Sequence, residues 1–362
     1  KLWFGSEVAM SKTNHPLPIR NNHVLGEPVV DPSIWKKEDL TSNKEWLYQL
    51  RDKEIESLIK MAQRHRDEFG DDPNELLSTT RVNFDLGAFG QTLPKIYDQL
   101  KDGLGVALLR GLPMDDIELI DVAAIYWGIG RHMGDAMSNN PEGDMIGHIR
   151  DEGRDFNDPN HRGYQTNVTM DYHCDQTDIV GLLCLREAKS GGLSKVVSSI
   201  AAYNEFLARR PDLVGVMAKP FCWTKHSEMN SNEKPYYESP IFNFLDNKLC
   251  ISFGPKHIEK GHQLPEVPDI TVEQAEGIRL MEQICEEQHF AMTLERGDIQ
   301  FANNAVILHT RQGFEDWPES DRRRQLWRLW LVQPEIRQAN PYILQWRNGV
   351  HPKGTKLKVT LC

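Results

Sequence analysis

Two kinds of hydrophobic spacing are segregated along this chain of 362 residues, and their order restricts the architecture it can adopt. In the first third, Ile55, Leu58, Ile59 and Ala62 recur at helical spacing inside a charged stretch at 52–66, the mark of a surface helix with one buried stripe. One short apolar run bounded by glycines, 105–111, reads as a buried strand, and helical spacing returns at 117–129. Residues 133–167 are polar and rich in Gly, Asn, Asp and Pro, too long for an ordinary connection, and are expected to form a loop over a functional site. After them the apolar runs shorten and multiply. Strands are expected at 179–185, within 220–253, at 290–294, at 299–308 after a Gly297-Asp298 turn, and at 326–332. Helices are expected at 198–210 and 271–288, the second opening with Thr271 and Gln274 in capping-box spacing. Helices early and strands late predict a β-sandwich or jelly roll wrapped by helices, as a single domain. Its parts read as a helical extension at 1–102, a core at 103–340 with an insertion at 220–290, and a tail at 341–362.

Charge and cysteine content narrow the function. A formal charge of -11 and no basic stripe argue against nucleic acid as a partner. No apolar run reaches the roughly 18 residues a membrane span needs, and the first residues lack the apolar core of a signal peptide, so a cytoplasmic location is expected. The six cysteines contain no CxxC pair and are read as reduced thiols. A small-molecule substrate is the expected partner; a homo-oligomer is left open.

The chemistry-bearing residues begin at Tyr172-His-Cys-Asp175. On an extended chain His173 and Asp175 share a face and can reach one metal together. Two histidines and one carboxylate on one face of an octahedron suit iron(II) that must also bind O2 and a chelating acid. Downstream, the apolar run from Asn303 ends in His309, and the following strand-like run carries Arg324 and Arg328. A guanidinium on a strand of an apolar sheet is costly unless paired, and a dicarboxylate would pair it. The same triad could hold zinc in a cupin-like hydrolase, or the fold could serve as a non-catalytic binding protein.

Taken in order, His173-Cys-Asp175, Gly191-Gly-Leu-Ser194, His309 and Arg324 resemble the motifs of the taurine dioxygenase-like (TauD/TfdA) family of iron(II)/2-oxoglutarate-dependent oxygenases. The resemblance covers about 103–333. It implies an α+β, mainly β, double-stranded β-helix of the clavaminate synthase-like kind, flanked by helices, using Fe(II), 2-oxoglutarate and O2. It implies that His173, Asp175 and His309 are the metal ligands and that Arg324 clamps the distal carboxylate of 2-oxoglutarate with Ser194 as helper. Arg328 falls where the family places an arginine near the acidic group of the substrate or the 2-oxo-acid head. The stretch from His309 to Arg324 is a few residues longer than in the type member; Arg322 is read as surface and Arg324 as functional.

Tyr164-Gln-Thr-Asn167 and Tyr172 run into the metal motif, and from them Gln165, Asn167 and Tyr172 are taken to line the substrate pocket. Asp178 is a candidate either to fix a ligand imidazole or to serve as an N-cap or surface residue. Trp327 and Trp330 are read as core.

Overall fold

The structure, a computed structural model, describes residues 19–155, 158, 161–226, 228 and 233–361. Its spine is a seven-stranded sheet in the order Leu47–Gln49, Val106–Arg110, Ile299–Asn303, Ile179–Arg186, Gln325–Val332 and Asp135–Met137, with Gly147–Ile149 also on Gln325–Val332. All pairings are antiparallel except that of Leu47–Gln49 with Val106–Arg110.

The central strands are apolar at almost every position because both faces of this sheet are covered. Ala107, Leu109, Ile179, Leu183, Phe301, Trp327 and Leu329 pack in one core with the helices Asp52–Phe69, Leu93–Asp102 and Leu119–Met133. Their neighbours Val106, Leu108, Val180, Cys184, Ala302, Leu326 and Trp330 point the other way, as strand geometry requires. They meet a second, antiparallel sheet of Phe290–Met292, Ser194–Ser198 and Ile307–Arg311, which contributes Met292, Val196 and Ile307. This is the jelly roll flanked by helices that the sequence implied. Trp327 and Trp330 are both core residues, on opposite faces.

The insertion expected at 220–290 folds as two hairpins, Pro220–Thr224 with Tyr236–Pro240 and Phe242–Leu245 with Lys248–Ile251, followed by the helices Pro255–His262 and Val272–Gln288. Thr271 caps the last helix: its Oγ1 accepts from Gln274 N at 3.2 Å and Gln274 Oε1 accepts from Thr271 N at 3.0 Å.

Three segments differ from expectation. The first hundred residues supply an edge strand, Leu47–Gln49, to the main sheet. The polar stretch 133–167 holds the strands Asp135–Met137 and Gly147–Ile149, each of three residues and so too short for periodicity to reveal. The segment expected as a tail buries Tyr342, Ile343, Trp346, Val350 and Val359.

Candidate metal centre

His173 and Asp175 lie on an extended segment that runs beside the strand Ile307–Arg311. His173 N donates to His309 O at 2.9 Å and His309 N returns to His173 O at 2.8 Å, which sets the two imidazole rings 4.5 Å apart. Cys174, between the two ligand-type residues, is buried in the core instead, and its N donates to Phe253 O. His173 Nδ1 hydrogen-bonds Asp171 O at 2.9 Å, leaving Nε2 to face the centre. Ligand-type atoms of His173, Asp175 and His309 all lie within 4.8 Å of one another.

Asp175 is 6% exposed. Its Oδ1 accepts from Arg328 Nη1 at 3.3 Å; its Oδ2 has no hydrogen-bond partner and stands 3.6 Å from His309 Nε2. Burial alone would raise its pKa, but its charged surroundings, the Arg328 guanidinium first, outweigh burial and hold the carboxyl below its ordinary range. Burial, reinforced by His173, takes His309 down to about 3. An ionised carboxylate and a neutral imidazole are the forms that bind a metal. A buried anionic oxygen with no proton donor, beside two imidazoles, fits iron(II).

Asn304 fixes the geometry of this centre. Its Oδ1 accepts from Asp175 N at 3.0 Å and its Nδ2 donates to Thr177 O at 3.0 Å, so one amide pins both ends of the turn that carries the carboxylate. Replacing it with alanine leaves a buried N–H and a buried carbonyl unpaired. We expect Asn304→Ala to lose about 1–3 kcal/mol of stability in urea unfolding and to weaken metal binding about 10–100-fold by titration. An unchanged metal affinity would remove Asn304 from the support of the site.

Two cavities, of about 520 and 570 Å³, meet at these ligands and share Tyr164, Met170 and Arg328 in their walls. The inner one holds Arg324, Arg311 and Ser194. Arg324 is 5% exposed, lies over the Phe314 ring at 5.1 Å, and leaves its Nη1 without a partner. The Gly191-Gly192 turn makes room for it. Both glycines have positive φ, and a Cβ on Gly192 would stand 3.2 Å from Arg324 Nε. Ser194 Oγ lies 2.8 Å from Gln300 Oε1, to which it donates. Arg311 donates to Thr166 O at 2.7 Å and to Val168 O, and its Nε is unpartnered. Burial lowers the pKa of both arginines, and the charge of Arg324 adds to the effect on Arg311. Two guanidiniums in one dry pocket, with no carboxylate ion-paired to either among the described residues, call for an anionic occupant.

The structure therefore brings together His173, Asp175, His309, Ser194, Arg324 and Arg328. Arg322 lies at the surface, stacked on Trp317 at 3.6 Å. Gln165, Asn167 and Tyr172 are not brought to the cavities. The 3₁₀ turn Gly163–Gln165 sends Tyr164 inward, 5.0 Å from the Arg328 guanidinium, and turns Gln165 to Glu152. Asn167 is exposed. Tyr172 precedes His173 on the extended segment, so it points away, and its OH donates to Glu286 Oε2 at 2.6 Å. Asp178 does not touch an imidazole: it pairs with Arg347 and accepts from Gln333 N at 2.7 Å. Sequence reasoning missed Asn304 and Arg311. For Arg311 a signal existed, since it stands two residues after His309 on the same strand.

Two histidines and a carboxylate inside a jelly roll, next to a cavity lined by the guanidiniums of Arg311 and Arg324, each with an unpartnered nitrogen, define the class of mononuclear non-haem metal sites with open coordination positions. The chain belongs to the TauD/TfdA family: the family model described as "Taurine catabolism dioxygenase TauD, TfdA family" matches residues 71–330. A relative from Streptomyces rubellomurinus, FR-33289 synthase, is 29% identical over 317 residues, covering 85% of this chain and 91% of that protein. Among solved structures, an asparagine oxygenase in complex with Fe(II), 3-hydroxyasparagine and succinate has a TM-score of 0.61 at 15% identity, covering 79% of this chain and 93% of that one. The non-haem iron oxygenase OrfP in complex with Fe and alpha-ketoglutaric acid has a TM-score of 0.57 at 13% identity, covering 79% and 94%.

Proposed function

We propose that this chain is an iron(II)/2-oxoglutarate-dependent dioxygenase that oxidises a C–H bond of a small anionic substrate: an amino acid, a carboxylate or a sulfonate. The outcome is hydroxylation, or oxidative cyclisation or desaturation. His173, Asp175 and His309 are assigned as iron ligands, Arg324 with Ser194 as the seat of 2-oxoglutarate, and Arg328 as a residue of the substrate side. The observation that carries this reading is the buried, unpaired Arg324 in a cavity that opens onto the carboxylate of Asp175. A hydrolytic zinc site would leave that arginine unanswered. The ligands bound in the asparagine oxygenase and OrfP structures support the same cofactor pair here and an amino acid-like substrate.

Bound iron supplies the oxidation, in which 2-oxoglutarate and O2 give succinate, CO2 and an oxidised substrate. The chain supplies position and dryness. Arg328 holds Asp175 by Oδ1, which leaves Oδ2 unbonded and would let it hold the iron, while Asn139 Oδ1 accepts from Arg328 Nε at 2.9 Å and steadies the guanidinium. Tyr164 lines both cavities. The described cysteines are all buried and free, in keeping with a reducing, cytoplasmic setting. No helix among the described residues is long and apolar enough to cross a membrane.

The test is anaerobic. Iron(II)-loaded protein given 2-oxoglutarate is expected to develop the weak visible charge-transfer band of a chelated 2-oxo acid, and succinate lacking the keto group is expected to give none. Correctly folded, iron-loaded protein without the band would overturn the reading.

A further inference from the structure

The cavity on the substrate side of the ligands ends at His226 and at the helix Pro255–His262, which brings His257 and Lys260 into its wall. His257 Nδ1 is buried with no hydrogen-bond partner, and the His226 ring stands edge-on to it with centroids 4.3 Å apart. Lys260 is 5% exposed. Its Nζ donates to Asp158 O at 2.7 Å and His161 O at 3.1 Å. No carboxylate oxygen lies within 4.0 Å of it among the described residues. An ammonium has three donors, so one N–H remains.

The other cations of this cavity each have a carboxylate partner, although Arg328 keeps its Nη2 unbonded. Arg162 is paired with Glu228 through two hydrogen bonds, one of 2.9 Å from Nε. Lys256 Nζ lies 3.0 Å from Glu259. Arg328 gives Nε to Asn139 and Nη1 to Asp175, and its planar group rests near the rings of Tyr164 and Trp330 at 5.0 and 4.2 Å. Lys260 is the cation of this wall with no ion pair among the described residues, and His257 Nδ1, on the same helix, is among the buried polar atoms of the cavity that lack a partner, with Gln176 Nε2 and Arg328 Nη2. Burial and the surrounding cations, His226 and Arg162 first among them, keep His257 well below its usual pKa, so it meets a ligand as a neutral imidazole. A buried ammonium held only by carbonyls, beside an imidazole nitrogen with nothing to bond, is the arrangement that an oxyanion completes.

We infer that His257 and Lys260, with His226 at their side, form the seat for the oxyanion of the substrate, a carboxylate, sulfonate or phosphate group, and that Arg328 instead positions Asp175. This rests on the oxygenase reading above and deepens it. The seat lies on a different element from the 2-oxoglutarate pocket, and the two cavities meet at His173 and Asp175. Substrate choice is then set by the helix Pro255–His262 and the loop that Lys260 grips through the carbonyls of Asp158 and His161.

The probe is inorganic sulfate, titrated calorimetrically into anaerobic iron(II)-loaded enzyme with saturating 2-oxoglutarate, which fills the Arg324 pocket. The parent is expected to show one saturable site. Lys260→Met and His257→Leu are each expected to weaken it about tenfold or more, while both keep the 2-oxoglutarate band as proof of a folded centre. Equal sulfate binding by the parent and both variants, or no sulfate binding by enzyme that shows the band, overturns the seat. A parent without the band strikes the oxygenase reading and takes the role of the seat with it.

Discussion

Replacing Arg324 with methionine is expected to raise the 2-oxoglutarate concentration for half-saturation by about 30-fold or more, and to leave the ligand-free protein as stable as the parent or more so. The two effects have one origin. Arg324 is buried in the sheet interior with Nη1 unbonded and with Arg311 in the same cavity wall. In the free protein its charge is a desolvation cost that the Phe314 ring offsets only in part, and a methionine of similar length removes that cost. Stability is expected to rise by about 1 kcal/mol or stay level, given the range seen when buried charges yield to apolar groups. With 2-oxoglutarate bound, the same guanidinium meets a carboxylate in a dry pocket, and its loss is expected to cost about 2–5 kcal/mol of binding. Urea unfolding without ligand and band titration with 2-oxoglutarate measure the two halves. A variant that unfolds more easily yet binds 2-oxoglutarate normally would make Arg324 a structural residue and sink the assignment.

The part of this molecule legible in the sequence is the part whose physics is local. Strands such as Ile179–Arg186 and Gln325–Val332 showed as apolar runs because both faces of the main sheet are buried. The helix Val272–Gln288 announced itself through Thr271 and Gln274. His173 and Asp175 were readable because two residues apart on an extended chain means one face, and Arg328 because a charged residue inside an apolar run must be answered, whereas Arg324, at the end of a run of three arginines just before that strand, was singled out by the family resemblance. Tyr172 was misjudged on the same logic: it is one residue from His173 and so on the opposite face, hydrogen-bonded to Glu286. Gln165 and Asn167 were misplaced because a 3₁₀ turn, which no period-two reading anticipates, chooses Tyr164 in their stead. His226, His257 and Lys260 carry no signal at all in sequence. They come from the hairpin region and the helix after it, and only tertiary folding sets them against one cavity.

The C-terminal segment gave the least warning, because 341–361 is polar, lacks periodicity and holds one helix of four residues, yet its removal is expected to have the largest effect on folding. Tyr342 and Trp346 are 1% and 3% exposed. Tyr342 packs against Trp223 at 4.9 Å and Tyr237 at 5.9 Å, and Trp346 meets Tyr237 edge-on at 5.8 Å. The OH of Tyr342 donates to Cys174 O at 3.2 Å, the carbonyl between the two ligand-type residues, and Arg347 pairs with the buried Asp178 three residues after Asp175. Truncating a buried aromatic ring to alanine costs about 3–5 kcal/mol, and stripping the partner from a buried carboxylate costs a similar amount. A typical domain has only about 5–15 kcal/mol to lose. A chain ending at residue 340 is therefore expected to lack cooperative unfolding, as followed by circular dichroism and urea. Tyr342→Phe separates packing from the site. It keeps the ring, so it is expected to lose only about 1 kcal/mol of stability, but it frees Cys174 O and so loosens the segment that carries His173 and Asp175, weakening metal binding in titration. A truncated chain that unfolds cooperatively at the urea concentration of the parent would show that these contacts add nothing to the fold. Unaltered metal affinity in Tyr342→Phe would confine the segment to a packing role.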